Sequence, residues 1–208
     1  MNGVKEAYDR ASGEYARLYF HELDDKPLDR DLLRVFLSRL RAEGTVCDLG
    51  CGPGEIAAFL RSEGQRDLIG IDLSSGMIEE ARRLQPDVRF ETGDMLALHL
   101  VDNSIAGIAA FYAIVTLNVE ELAKAFSEMY RVLKPGGLLL ISFHTGNEVV
   151  HAPDFHAQDN PLDFYFFEPD TIKDLIVRAG LQIEDLLVRD PYPDKEYPSK
   201  RCYLFARK

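Results

Sequence analysis

The chain has 208 residues, 46% hydrophobic and 28% charged, a length and balance that suit one globular domain with a full core. Its net charge of −11, from 24 basic and 35 acidic residues, supplies no basic field for a nucleic-acid or membrane-surface partner. No apolar run approaches the roughly 18 residues of a membrane span. The opening MNGVKEAYDRASGEY reads as neither signal nor transit peptide. The three cysteines, Cys47, Cys51 and Cys202, are odd in number and lack metal-ligand spacing, so reduced thiols in a cytoplasm are expected.

Tyr8, Ala11, Tyr15, Leu18 and Tyr19 recur at helical spacing and predict a helix over 4–20. A second helix is expected from Pro27, a good first-turn residue, to about Arg41, with Leu28, Leu32, Phe36 and Leu40 as its apolar face. Strands near 45–49, 67–72, 87–91, 105–111 and 137–143 then alternate with helices near 54–62, 75–84 and 119–133. Asn118 and Glu121 read as a capping box for the last of these helices. Residues 145–167 break the alternation and carry Phe155, Phe164, Tyr165, Phe166 and Phe167. Glu168-Pro169-Asp170 opens a further helix toward Gly180, and strands near 181–188 and 201–206 flank the loop DPYPDKEYPSK. The alternation predicts a doubly wound α/β fold in a single domain, with a mainly parallel sheet and helices on both faces. Such sheets bind ligands outside the carboxyl ends of their strands, where strand order reverses.

The stretch VCDLGCGPGE, Val46 to Glu55, is the most informative segment. An apolar strand ends in an acid, glycines follow at Gly50, Gly52 and Gly54, and an amphipathic helix begins. Glycine lets the backbone turn tightly and lets a ligand press against it. A second strand, LIGID, ends in Asp72, roughly 20 residues past the loop, where an acid can grip a ribose. The unit reads as a nucleoside-binding strand–loop–helix–strand.

Taken together, these motifs resemble a class I S-adenosylmethionine-dependent methyltransferase. CDLGCGPGE is similar to that family's glycine loop, IDLSSGMIEEAR to its second strand and ribose acid, and ETGDML to its adenine loop. AFYAIVTLN is similar to its fourth strand end, and RVLKPGGLLLIS to its turn into the fifth strand. The resemblance covers about residues 5–208 and implies a Rossmann-like sheet of seven strands, the last antiparallel. It implies S-adenosylmethionine as cofactor and S-adenosylhomocysteine as product. It also implies that Asp48, Gly50, Cys51 and Gly52 lie near the methionine amino and carboxylate groups. Asp72 would take the ribose hydroxyls, Leu73 and Met77 would pack on adenosine, and Asp94 and Met95 would meet adenine. The Phe111 carbonyl would face the methionine ammonium, and Tyr8 and Tyr15 would close over the cofactor. Two positions depart from the family: Ala106 and Gly107 stand where relatives commonly carry an acid, and Thr116 where they often carry histidine.

Methyl transfer from a sulfonium is an in-line displacement whose leaving group is already activated, so alignment can supply much of the catalysis. A base helps only where the acceptor must lose a proton. His144, just past the fifth strand, is the candidate; His151 and His156 are weaker ones, and their spacings fit no compact metal pattern. The N-terminal helices, residues 1–44, and the segment 145–167 are expected to lid the site. Their Tyr19, His21, His151, Phe155, Phe164, Tyr165 and Phe166, with Tyr192 and Tyr197 from the late loop, suit a small organic acceptor. Two other classes are weighed. A dinucleotide oxidoreductase is disfavoured by the close-set glycines and by the lack of a catalytic tyrosine–lysine pair. A non-catalytic S-adenosylmethionine-binding protein acting through a partner would be favoured by a cofactor site without an open acceptor pocket.

Overall fold

The computed structural model describes residues 2–157 and 159–208. Two N-terminal helices, α1 (Asn2–Tyr19) and α2 (Pro27–Ser38), flank a short 3-10 turn and precede the alternating region. That region runs β1 (Val46–Leu49), α3 (Glu55–Ser62), β2 (Leu68–Asp72), α4 (Ser75–Leu84), β3 (Arg89–Thr92), β4 (Ile105–Phe111), α5 (Val119–Val132) and β5 (Leu133–His144). A hairpin of β6 (Val149–Ala152) and β7 (Leu162–Tyr165) follows, then α6 (Pro169–Arg178), β8 (Gln182–Arg189) and β9 (Arg201–Arg207). The main sheet has seven strands in the order β3-β2-β1-β4-β5-β9-β8. The pairs from β3 to β5 are parallel, and β9 runs antiparallel to both its neighbours. This is the Rossmann-like sheet the motifs imply.

The strands β1, β4 and most of β5 are buried along their length, as expected of parallel strands covered on both faces. Leu33, Phe36, Ile56, Leu60 and Ile78 of α2, α3 and α4 cover one face. Leu122, Phe126, Met129, Ile172 and Ile176 of α5 and α6 cover the other. Each such side chain contributes roughly 1.5–3 kcal/mol by leaving water. Gly107 is one place where this packing is tight. A Cβ there would stand 2.6 Å from Leu40 Cδ2 and 2.8 Å from Phe36 Cζ, so α2 and the residues just after it leave no room for a larger side chain. Asn118 and Glu121 form the expected capping box of α5.

Three expectations change. Helix α2 ends at Ser38 rather than near Arg41, and its inward residues are Asp29, Leu33 and Phe36, with Leu28, Leu32 and Leu40 only partly covered. The stripe rotates because Asp29 is drawn inward to accept from Tyr203 Oη at 2.9 Å and Arg189 Nη2 at 3.0 Å. Strand β5 begins at Leu133, because Gly136, at φ +78°, carries the KPGG turn straight into pairing. Segment 145–167 is not irregular throughout: β6 and β7 pair antiparallel as a separate two-stranded sheet. Among the described residues, no helix is long and apolar enough to cross a membrane.

Candidate active site

Strand order reverses between β1 and β4, and a crevice opens at the carboxyl ends of these strands. The glycine loop shapes one wall. Gly50 has φ +70°, and a Cβ there would lie 2.4 Å from that of Ala113. No other residue satisfies both demands. The Gly50 and Cys51 amides donate to the Ile71 carbonyl at 2.7 and 3.1 Å, pinning the loop onto β2. Asp72 fixes it from the opposite side, with Oδ2 accepting from Gly52 N at 2.9 Å and Oδ1 from Ser74 N at 2.8 Å.

A first cavity fills this crevice. Of the predicted cofactor residues, Tyr8, Tyr15, Gly50, Gly52, Asp72, Leu73, Met77, Asp94, Met95 and Phe111 line it together. Asp48 and Cys51 do not. Asp48 turns behind the loop, where Oδ2 accepts from the Ala57 amide of α3 at 2.9 Å, and burial pushes its carboxyl up to about 7. Cys51 is buried, and its sulfur would lie 3.1 Å from a Cβ on Gly70. Burial, then the charges of Asp48 and Asp72, hold its thiol well above the usual range. Both residues shape the loop from beneath.

Sequence reasoning missed Glu22, Glu55 and Tyr112, which also line this cavity. Glu55 closes the quoted CDLGCGPGE motif and is the first residue of α3, so its position was in view; its direction was not. Its Oε2 is buried without a hydrogen-bond partner among the described residues, and burial, against the pull of Lys26, pushes its carboxyl up to about 8. Tyr112 sits in the left-handed region at φ +51°, uncommon for a non-glycine residue and typical of functional sites. Its amide donates to both the Ser142 carbonyl, at 3.0 Å, and Ser142 Oγ, at 3.1 Å, which holds the turn.

A second cavity of about 630 Å³ adjoins the first and shares Tyr8, Tyr15, Glu22 and Tyr112 with it. Its walls include Tyr19, Phe155, Phe164, Phe166 and Tyr197. His144 lines this cavity, stacked on Phe166 with ring centroids 4.8 Å apart. Burial, then the charges of Arg201 and Lys26, push His144 down to about 4. His156 also reaches it, edge-on to Tyr15 and Tyr19. His151 lies apart, paired with Asp163 at 2.6 Å on the exposed hairpin, and Tyr165 faces away with it. Tyr192 is beneath the cavity, where its hydroxyl accepts from Leu28 N at 3.2 Å. His21 is exposed.

A glycine-loop crevice at the carboxyl ends of an α/β sheet, joined to a chamber with aromatic walls, defines the class of protein. Residues 46–137 match the methyltransferase-domain family model. A demethylmenaquinone methyltransferase of Leptospira interrogans is 30% identical over 211 residues, covering 94% of this chain and 78% of its own. A probable S-adenosylmethionine-dependent methyltransferase of Mycolicibacterium smegmatis is 31% identical over 142 residues, 68% of this chain and 53% of its own. The chain spans about half the length of this and another of the curated relatives it matches. The crystal structure of an S-adenosylmethionine-dependent methyltransferase from Methanosarcina mazei superposes with TM-score 0.74 at 18% identity, over 84% of this chain and 96% of that one. The chain belongs to the class I S-adenosylmethionine-dependent methyltransferase family.

Proposed function

We propose that this chain is one methyltransferase domain that transfers the methyl group of S-adenosylmethionine to a small organic acceptor by in-line displacement, leaving S-adenosylhomocysteine. The observation that carries this reading is the adjacency of the two cavities, one lined by glycines and acids, the other by aromatic rings. An open chamber beside the crevice also favours catalysis over a purely binding role. One relative is named a demethylmenaquinone methyltransferase, and an organic acceptor of that kind suits aromatic walls.

The residues present fit the cofactor. Each Asp72 oxygen accepts one backbone N–H and keeps a lone pair for a ribose hydroxyl. Asp94 Oδ1 accepts from Leu96 N at 2.8 Å, which leaves Oδ2 for an adenine amino group. Leu73, Met77 and Met95 offer apolar contact to the base, and the unpartnered Glu55 carboxyl suits a cationic group. Bound there, S-adenosylmethionine supplies a methyl group already activated on a sulfonium. The chain then has to align the acceptor and exclude water, for which Tyr8, Tyr15 and Tyr112 stand at the junction of the cavities. His144 is neutral at pH 7 and at most a weak base, so we assign the acceleration to alignment rather than proton removal. We read α1 with the β6–β7 hairpin as the lid. The three buried, unpaired cysteines support a cytoplasmic setting.

Titration calorimetry with S-adenosylmethionine, and with a nicotinamide dinucleotide as control, tests the reading. Binding of the first alone is expected; binding of the dinucleotide alone sinks the proposal. Asp72→Ala removes two charge-assisted hydrogen bonds of roughly 1.5–3 kcal/mol gross each. Affinity is expected to fall by on the order of tenfold to a thousandfold, with the fold retained by circular dichroism. An unchanged dissociation constant shows that Asp72 does not hold the ribose.

A further inference from the structure

One cation of the second cavity has hydrogen-bonding capacity that the described residues leave half used. Arg201, the first residue of β9, lines the cavity and is only 3% exposed. Its Nη1 donates to the Tyr197 carbonyl at 2.5 Å, the Ser199 carbonyl and Ser199 Oγ at 3.3 Å. Its Nε is buried without a hydrogen-bond partner, and none of the guanidinium's hydrogen bonds involves Nη2. Nε and Nη2 form one edge of the planar guanidinium, a fork whose spacing matches the two oxygens of a carboxylate. A buried charged donor without a partner is costly, which marks this edge as built to meet something.

Among the described residues no carboxylate accepts a hydrogen bond from this edge, although Glu196 forms a buried ion pair with Nε. Glu196 Oε1 lies 3.5 Å from Arg201 Nε without the geometry of a hydrogen bond. Glu196 already accepts two bonds from Arg189, at 2.6 and 2.9 Å, and one from Tyr192 N at 2.7 Å. Asp29 is taken by Tyr203 and Arg189. Glu22 pairs with Lys26, whose Nζ is 3.5 Å from Glu196. Charges are thus balanced around the floor of the cavity, yet the N–H groups of the Arg201 fork find no acceptor among the described residues. Beside it, His144 Nδ1 is 2.7 Å from Ser199 Oγ. That hydroxyl accepts from Arg201 Nη1 and has its own proton to give to His144 Nδ1. In the tautomer where that hydroxyl donates to Nδ1, the neutral imidazole carries its proton on Nε2 and offers a second donor.

Resting on the reading of the second cavity as the acceptor site, we infer that the Arg201 Nε–Nη2 edge, with His144 Nε2, receives a carboxylate of the acceptor. The acceptor is then an acid on an aromatic or similarly flat body, packed between Phe155, Phe164, Phe166 and Tyr19. Arg201 lines the second cavity and not the first, so the carboxylate is an anchor and methylation falls elsewhere on the molecule.

The test uses matched pairs: benzoate, 2-naphthoate and 3-phenylpropanoate, each with its primary amide, titrated calorimetrically into protein saturated with S-adenosylhomocysteine. Acid and amide share a shape and differ in charge. The preceding titration with S-adenosylhomocysteine reports on the methyltransferase reading by itself, so the two failures are distinct. At least one acid is expected to bind, at least tenfold more tightly than its amide. Arg201→Lys keeps the charge but loses the fork, and the preference is expected to fall below threefold. Because Arg201 also braces the loop before β9, the acid–amide comparison in the unaltered protein decides by itself whether a carboxylate is recognised. If no acid binds, or amides bind as tightly, the inference is overturned; a preference that survives Arg201→Lys overturns the assignment to Arg201.

Discussion

Glu55 shows how burial can outweigh every local rule. At the first position of α3 an acid is normally favoured by the helix dipole, yet burial raises its carboxyl from 4.5 to about 8. Because the folded value is raised, its contribution to stability is fully present below about 4.5 and is lost as pH rises through about 8. A cationic ligand reverses the preference, since it favours the ionised acid. Binding of S-adenosylmethionine at pH 7 is therefore expected to release protons, and affinity should climb with pH up to about 8 and level off above it. Calorimetry in buffers of different ionisation enthalpy reads the released protons, and Glu55→Gln should flatten the slope. Affinity that falls with rising pH, or a slope that survives in the variant, is the opposite result.

At the scale of elements, α1 is held between two neighbours that belong to different cavities. On one side Asp9 Oδ1 accepts from Ser74 Oγ at 2.7 Å and Gly76 N at 2.9 Å, which ties the helix to the start of α4 just past Asp72. On the other, Ala7 and Ala11 pack against Phe155 and Leu162 of the hairpin region, where Asn160 Nδ2 donates to the Ala7 carbonyl at 3.0 Å. Asp9→Ala should loosen α1 first: hydrogen exchange across 4–19 is expected to quicken about tenfold, equivalent to roughly 1.4 kcal/mol. Adding S-adenosylhomocysteine to the unaltered protein should protect both α1 and the hairpin, and protection of neither removes the lid. Most elements were legible because apolar runs and glycine loops are local signals. The hairpin was not: VVHA and LDFY are half-exposed strands that pair across a long loop, and α1, far away in sequence, supplies their packing. The inward turn of Asp29 was illegible for the same reason, since its partners stand on β8 and β9.

Across the whole molecule the two halves of the site differ in how far sequence reaches. The first cavity is written at consecutive strand ends, so the glycine loop, Asp72 and the ETGDML loop follow in chain order. The second gathers residues from the N-terminal helices, the end of β4, the hairpin and the last loop. They meet because β9 inserts antiparallel between β5 and β8 and brings Arg201 opposite His144. No spacing rule announces such a meeting.

The crowding of phenolic rings at the junction of the cavities has an optical consequence. The chain has 9 tyrosines and no tryptophan, so its ultraviolet emission is tyrosine emission alone. Tyr8, Tyr15, Tyr19, Tyr112 and Tyr197 all border the two chambers. Occupation of the crevice should therefore be visible without any label, as quenching of intrinsic fluorescence that saturates with S-adenosylhomocysteine. Tyr15→Phe should dim the starting signal and shrink the change, whereas Tyr130→Phe, on the far helix α5, should dim it and leave the size of the change intact. The ring of tyrosines at the junction thus gives the protein its own spectroscopic gauge of occupancy.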